Sequence, residues 1–107
     1  LPNQRKIALL GDMLELGDAS EEGHRHTGEW VADAGIDVLV AYGPRSAAMA
    51  QAAQARGVTT VHCQNAQEVL QCLQQFVQPG DALLAKASHA MKLEDLLQDY
   101  YAGLPQA

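Results

Sequence analysis

The sequence predicts an α/β domain with three layers, in which helices cover both faces of a mostly parallel sheet. Two observations predict this class. Short apolar or β-branched runs alternate along the chain with longer segments rich in Ala, Leu and Gln, which is the alternation expected of βα units. Turn residues such as Gly35, Gly57 and Pro79-Gly80 separate the segments. With 107 residues, 48% of them hydrophobic, the chain has the size and composition of one domain with a buried core.

The elements follow in the order β-α-β-α-β-α-β-α, and right-handed crossovers make this a Rossmann-like parallel sheet. Ser20 and Asn65 are the expected N-caps of the first and third helices, and Trp30, Val31 and Ala34 are the expected buried stripe of the first. The predicted strands cover residues 6–10, 37–42, 58–62 and 81–86. The predicted helices run from the Ser20 cap to about Ala34, over residues 46–56, from the Asn65 cap through Phe76 to a stop at Pro79-Gly80, and through residues 93–100.

Charge and composition exclude several classes of function. The formal net charge is −6 and the seven Lys and Arg are scattered, whereas proteins that bind nucleic acids or anionic membranes cluster positive charge. No apolar run approaches the ~20 residues of a membrane-spanning helix, and no signal-peptide core is visible. We therefore expect a cytoplasmic protein in which Cys63 and Cys72 are free thiols. Because the chain starts without Met, we also expect it to be one part of a larger protein.

The loop after the first strand, residues 11–17, is the first candidate site. Ligands of parallel sheets bind at the carboxyl ends of the strands, and Asp12 and Glu15 place two carboxylates there. The alternative is a helical turn in which Met13, Leu14 and Leu16 pack on the core and both carboxylates are solvated. The loop lacks the glycine spacing and the Lys-Ser/Thr ending of a nucleotide-phosphate loop.

The segment Lys86-Ala87-Ser88-His89 after the fourth strand is the second candidate. A lysine at the end of a buried strand, beside a hydroxyl and close to a helix start, suits a carboxylate or phosphate ligand. The alternative is a lysine that extends into solvent and a serine that caps the next helix.

Metal binding and nucleophilic catalysis are not indicated. His24 and His26 lie two residues apart on a predicted helix and so face different directions. The chain has no C-x-x-C or H-E-x-x-H spacing and no serine in a G-x-S-x-G turn. We therefore expect no metal ligands and no catalytic residue within this chain.

One long pattern resembles a known family. Its first block is Gly11-Asp12-Met13-Leu14-Glu15-Leu16-Gly17, which continues through Ser20-Glu21, His24 and Gly28; its second is Lys86-Ala87-Ser88-His89, with Glu94. The pattern is similar to the C-terminal domain of the Mur ligases, and the first block to the UDP-N-acetylmuramoyl-tripeptide–D-alanyl-D-alanine ligases among them. The resemblance covers nearly the whole chain.

The resemblance implies a three-domain, ATP-dependent peptide ligase of peptidoglycan synthesis. A missing N-terminal domain would hold the UDP-linked tripeptide and a missing central domain would bind ATP and Mg²⁺, while residues 1–107 would close over both and be inactive alone. It implies that Lys86 and Ser88 lie near D-alanyl-D-alanine and that Asp12 and Glu15 shape the loop that faces the central domain. His24 also matches a family histidine.

Two departures bear on the second block. Where the family pattern is Lys-Gly-Ser-Arg, this chain has Ala87 in place of glycine, which disfavours a positive φ. It has His89 in place of arginine, which removes a fixed charge and a bidentate donor. Two other functions stay open: a sibling ligase that accepts a different amino acid, and a non-catalytic binding module with the same fold.

Overall fold

The computed structural model describes residues 4–87 and 91–103, with the side chain of Glu15 excepted. Four strands form one sheet in which every neighbouring pair is parallel, in the order β3-β2-β1-β4. The strands are β1 (Lys6–Gly11), β2 (Val38–Tyr42), β3 (Thr59–Cys63) and β4 (Ala82–Lys86), and the helices are α1 (Ser20–Asp33), α2 (Ala47–Ala55), α3 (Ala66–Phe76) and α4 (Leu93–Ala102). The predicted fold class and order of elements are confirmed.

Alternation of side chains along the strands divides the core between the two faces of the sheet. Ala8 and Leu10 of β1 pack with residues of α1 and α2, while Leu9 packs with residues of α3 and α4. The three layers thus follow directly from the apolar strand sequences, which have side chains to bury on both sides.

Helix α1 begins differently from the prediction. Ser20 is its first residue rather than its N-cap, because a 3-10 helix (Leu14–Ala19) leads directly into it. The backbone N–H of Ser20 donates to the carbonyl oxygen of Gly17, so the preceding turn does what a capping side chain would otherwise do. Asn65 does cap α3, since its side chain accepts from the N–H of Glu68. Both cysteines are free, as predicted.

The start of β4 is tied to the start of β1 by an ion pair. Arg5 donates to both carboxylate oxygens of Asp81, at 2.7 Å for the shortest contact, and to the carbonyl oxygen of Phe76. The two strands pair in parallel from this end, in a register that places the carboxyl end of β4 beside that of β1. Within the described part of the chain, no helix combines the length and the apolar character that a membrane crossing requires.

Candidate functional site

At the carboxyl ends of β1 and β4, the start of the first predicted block lies beside Lys86 and Ala87, the start of the second. Leu10 lies opposite Lys86 in the register of the two strands. A side-chain carbon at Gly11 would lie 2.6 Å from Cβ of Ala87, so the absence of a side chain at Gly11 allows this close approach. The loop after β1 and the segment after β4 therefore begin at the same end of the sheet.

Asp12 is buried at the end of β1, with 1% of its surface exposed. One carboxylate oxygen accepts from the hydroxyl of Ser46 at 2.7 Å, and the other accepts from the backbone N–H of Arg45 at 3.1 Å. The guanidinium of Arg45 lies 4.0 Å away. The alternative of a solvated carboxylate is wrong for Asp12, because the turn after β2 supplies donors that replace water.

Gly43 makes the position of Asp12 possible. Its φ of 112° lies in the region that favours glycine, and a side-chain carbon there would lie 2.5 Å from the carboxylate of Asp12. Its N–H also donates to the carbonyl oxygen of Cys63 at 2.9 Å. Gly43 thus joins the ends of β2 and β3 and leaves room for a buried carboxylate.

His24 holds the loop that follows Asp12. Its Nε2 accepts from the backbone N–H of Met13 at 3.0 Å, so in the neutral ring Nδ1 carries the proton and donates to the carbonyl oxygen of Ser20 at 2.6 Å. The ring is fully buried. These contacts give His24 a structural role, and they fix where Met13 stands.

A cleft of about 350 Å³ opens at this edge, on the side of the sheet that α1 covers. Trp30 and Leu84 are 51% and 45% exposed, so the prediction that Trp30 is buried was wrong. Helices α1 and α2 pack on β1 and β2, which leaves this face of β4 open beside Trp30. The cleft is lined by Leu10, Gly11, Met13, Thr27, Trp30, Met49, Leu84, Lys86 and Ala87.

Among the described residues that line this cleft, Lys86 is the one that carries a charge. It is exposed, and within residues 4–87 and 91–103 its ammonium group has no hydrogen bond or ion pair. An unpaired ammonium group beside an apolar surface is suited to a small ligand that has one carboxylate or phosphate and an apolar remainder.

The remaining predicted site residues are not described. Ser88 and His89 lie outside the described residues, as does the side chain of Glu15, and their roles stay predictions. Ala87 is described and does not have a positive φ, so alanine at this position is free of the backbone strain that a positive φ would cause. Sequence reasoning missed Trp30, Leu84 and Ser46 as parts of this region, because no single-residue signal reveals which face of an edge strand a helix leaves uncovered.

Within the described ranges, no group of three or more His, Cys, Asp or Glu side chains is placed to hold a metal ion. Asp12 uses both of its oxygens within the protein.

Comparisons with known sequences give one consistent result for the class of protein that has this fold. Residues 1–89 match the family described as Mur ligase, glutamate ligase domain. The chain belongs to the Mur ligase family.

The relatives within that family point to one kind of ligase. The chain is 35% identical over 97 residues to the UDP-N-acetylmuramoyl-tripeptide–D-alanyl-D-alanine ligase of Bacillus subtilis, covering 89% of this chain and 21% of the relative. It is 36% identical over 106 residues to the ligase of the same name from Synechocystis, covering 97% and 23%. A crystal structure of MurF from Acinetobacter baumannii superimposes with a TM-score of 0.80 at 30% identity, covering 94% and 23%. The chain thus spans less than a quarter of the length of these relatives.

Proposed function

We propose that this chain is the C-terminal domain of an ATP-dependent ligase that joins D-alanyl-D-alanine to UDP-N-acetylmuramoyl tripeptide in peptidoglycan synthesis. We also propose that the enzyme is cytoplasmic and that this chain needs the N-terminal and central domains for activity. Its support is the similarity to ligases of that name over 89–97% of this chain.

The observation that carries the proposal is the position of Lys86 at the apolar cleft. The dipeptide has one carboxylate, two methyl groups and an amine that must attack an activated carboxyl group. Lys86 would bind the carboxylate, while Trp30 and Leu84 would contact the methyl groups and exclude water. A dipeptide held by its carboxylate and its methyl groups would have its amine in a fixed orientation. Correct orientation of two reactants can lower a reaction barrier by several kcal/mol, about 7–11 in favourable cases.

ATP and Mg²⁺ would be bound by the other domains of the full-length enzyme. Two observations support this division: both oxygens of Asp12 accept hydrogen bonds within the protein, and the loop after β1 lacks the features of a phosphate loop. The contribution proposed for this chain is confined to binding the dipeptide, orienting its amine and excluding water.

The first test measures phosphate release by the full-length enzyme with ATP, Mg²⁺ and UDP-N-acetylmuramoyl tripeptide. We expect release that depends on D-alanyl-D-alanine. Release that depends instead on a single amino acid, such as lysine or diaminopimelate, would assign the protein to a sibling ligase. An absence of release with every acceptor would favour a non-catalytic module.

Replacement of Lys86 tests the site itself. Lys86→Ala should raise KM for the dipeptide about tenfold to a hundredfold, which corresponds to the ~1.5–3 kcal/mol of a hydrogen bond to a charged group. The KM for ATP should stay unchanged. Lys6→Ala is the matched control, because Lys6 is also exposed but lies at the opposite end of the sheet. Equal dipeptide KM values for both variants would remove Lys86 from the site.

A further inference from the structure

The two cysteines of the chain lie in contact on the face of the sheet opposite the cleft. Cys63 is the last residue of β3, and Cys72 lies on α3. Their sulfur atoms are 3.4 Å apart and the thiols hydrogen bond to each other. Both belong to the core formed with α3 and α4. A disulfide has its sulfur atoms ~2.05 Å apart, so the sulfurs need to approach by roughly 1.4 Å to form one.

The two thiols differ in their access to solvent. Cys63 is 1% exposed, and burial raises its pKa to about 12, with further contributions from the hydrogen bond with Cys72 and from the carboxylate of Glu68. Cys72 is half-buried, so it is more open to solvent than Cys63. The pair therefore combines a partly exposed cysteine with a shielded one whose sulfur lies within contact distance.

We propose that Cys63 and Cys72 are a reversible redox modification site, which a peroxide oxidises to an intramolecular disulfide and a small dithiol reduces again. This site does not involve the cleft or its ligand. It therefore adds a property that does not depend on the proposed function.

The reaction has two balanced steps. The sulfur of Cys72 attacks hydrogen peroxide, the O–O bond breaks, and a sulfenic acid and one water are formed. The sulfur of Cys63 then attacks the sulfenic sulfur, the S–O bond breaks, and the oxygen leaves as a second water with the proton of Cys63. Two thiols together lose two electrons and two protons, and the peroxide accepts them. A dithiol such as dithiothreitol reverses the change and becomes a cyclic disulfide itself.

Peptide mapping tests the proposal directly. Trypsin cleaves after Arg56 and Lys86 and nowhere between them, so both cysteines lie on one peptide of residues 57–86. The full-length protein is treated with hydrogen peroxide, denatured without reductant, alkylated and digested. We expect the peptide to lack both alkyl groups and to weigh two hydrogens less than the dithiol form. Treatment with dithiothreitol before alkylation should restore two alkylated cysteines.

Two variants separate the proposed geometry from simple reactivity. In Cys63→Ala, Cys72 should stop at the sulfenic acid, which dimedone traps. In the double variant Cys72→Ser/Gln71→Cys the thiol moves one position along α3, to an exposed residue about 100° around the helix, and disulfide formation should fall at least tenfold. Circular dichroism checks that both variants are folded.

Three results would overturn the proposal. One is that both cysteines of the peptide are still alkylated after treatment with an amount of peroxide that does oxidise an added thiol peptide. Another is conversion of Cys72 to sulfinic or sulfonic acid while Cys63 remains alkylated. The third is disulfide formation in the double variant at the wild-type rate, because that would mean that the position of Cys72 on α3 does not matter.

Discussion

The ends of β1 and β4 lie side by side at one edge of the sheet, yet they differ in almost every physical respect. At the end of β1, Asp12 is buried and both its oxygens accept hydrogen bonds from the turn that follows β2. At the end of β4, Lys86 is exposed beside an open apolar surface and has no partner among the described residues. One end is fixed by its contacts, and the other end is available for contact.

This difference separates two roles that polar residues at strand ends can have. A buried carboxylate whose oxygens are all engaged contributes to the shape of the edge, because leaving its donors without a partner is costly. An exposed cation contributes little to stability but can bind a ligand. We therefore expect substitutions around Asp12 to change the free energy of unfolding and substitutions at Lys86 to change ligand binding.

The largest effect on stability is expected at Gly43. Gly43→Ala introduces both a strained φ of 112° and a carbon 2.5 Å from the carboxylate of Asp12. Together these should lower the free energy of unfolding by about 4 kcal/mol. Gly35→Ala is the matched control, since Gly35 also has a positive φ but no atom within 4 Å of the added carbon; its loss should be ~1–2 kcal/mol. Urea denaturation measures both, and equal losses would show that Asp12 does not restrict this position.

Removal of the buried carboxylate should have the next largest effect. Asp12→Ala leaves the backbone N–H of Arg45 without its acceptor and creates a small cavity, while the hydroxyl of Ser46 can still donate to the carbonyl oxygen of Tyr42. We expect a loss of about 3 kcal/mol in the free energy of unfolding. Asp18→Ala removes an exposed carboxylate and should change it by less than ~0.5 kcal/mol. A loss for Asp12→Ala as small as that of the control would contradict the network.

The buried imidazole should contribute somewhat less. His24→Ala removes the acceptor of the Met13 N–H and the donor to the Ser20 carbonyl, so we expect a loss of about 2 kcal/mol. His26→Ala, two residues along the same helix, removes an exposed imidazole that contacts Glu22 and Glu29, and the expected change is under ~0.5 kcal/mol. Thermal denaturation of the two variants compares them, and a similar melting temperature would show that His24 does not hold the loop.

Much of the fold could be predicted from the sequence because it depends on local patterns. Apolar strands such as 38–42, an N-cap such as Asn65 and breaks such as Gly35 report their own conformation. The order of strands in the sheet and the 3-10 helix before Ser20 depend on how segments meet, and no local pattern reports them.

The site could be predicted only in part, for the same reason. Lys86 and Asp12 could be named as candidates because charged residues at strand ends stand out in an apolar context. The sequence does not show that Asp12 would meet Ser46 and Arg45 across 33–34 residues. It also does not show that Trp30 would stand beside an uncovered strand, since that depends on which strands α1 covers.

The smallest expected effect concerns the start of β4, where Asp81 pairs with Arg5. The other end of the same strand carries Lys86 at the cleft. The pKa of Asp81 is lowered below its ordinary value of 3.8, mainly by the hydrogen bond from Arg5 and to a smaller extent by the one from the backbone N–H of Gln78. Because the folded-state pKa is lower than the unfolded-state pKa, this contribution to stability is fully present above the unfolded-state pKa and is lost as the pH falls through the folded-state pKa.

Asp81→Asn should therefore be less stable than the wild type at neutral pH, and the difference between the two should shrink as the pH falls below about 4. Urea denaturation at several pH values measures it, and in the Arg5→Gln background the pH-dependent difference should be smaller. A difference that stays constant down to low pH would mean that Asp81 acts through its shape and not its charge. In that case the register of β4 would rest on its backbone bonds to β1, and the ion pair would not be needed to place Lys86 at the cleft.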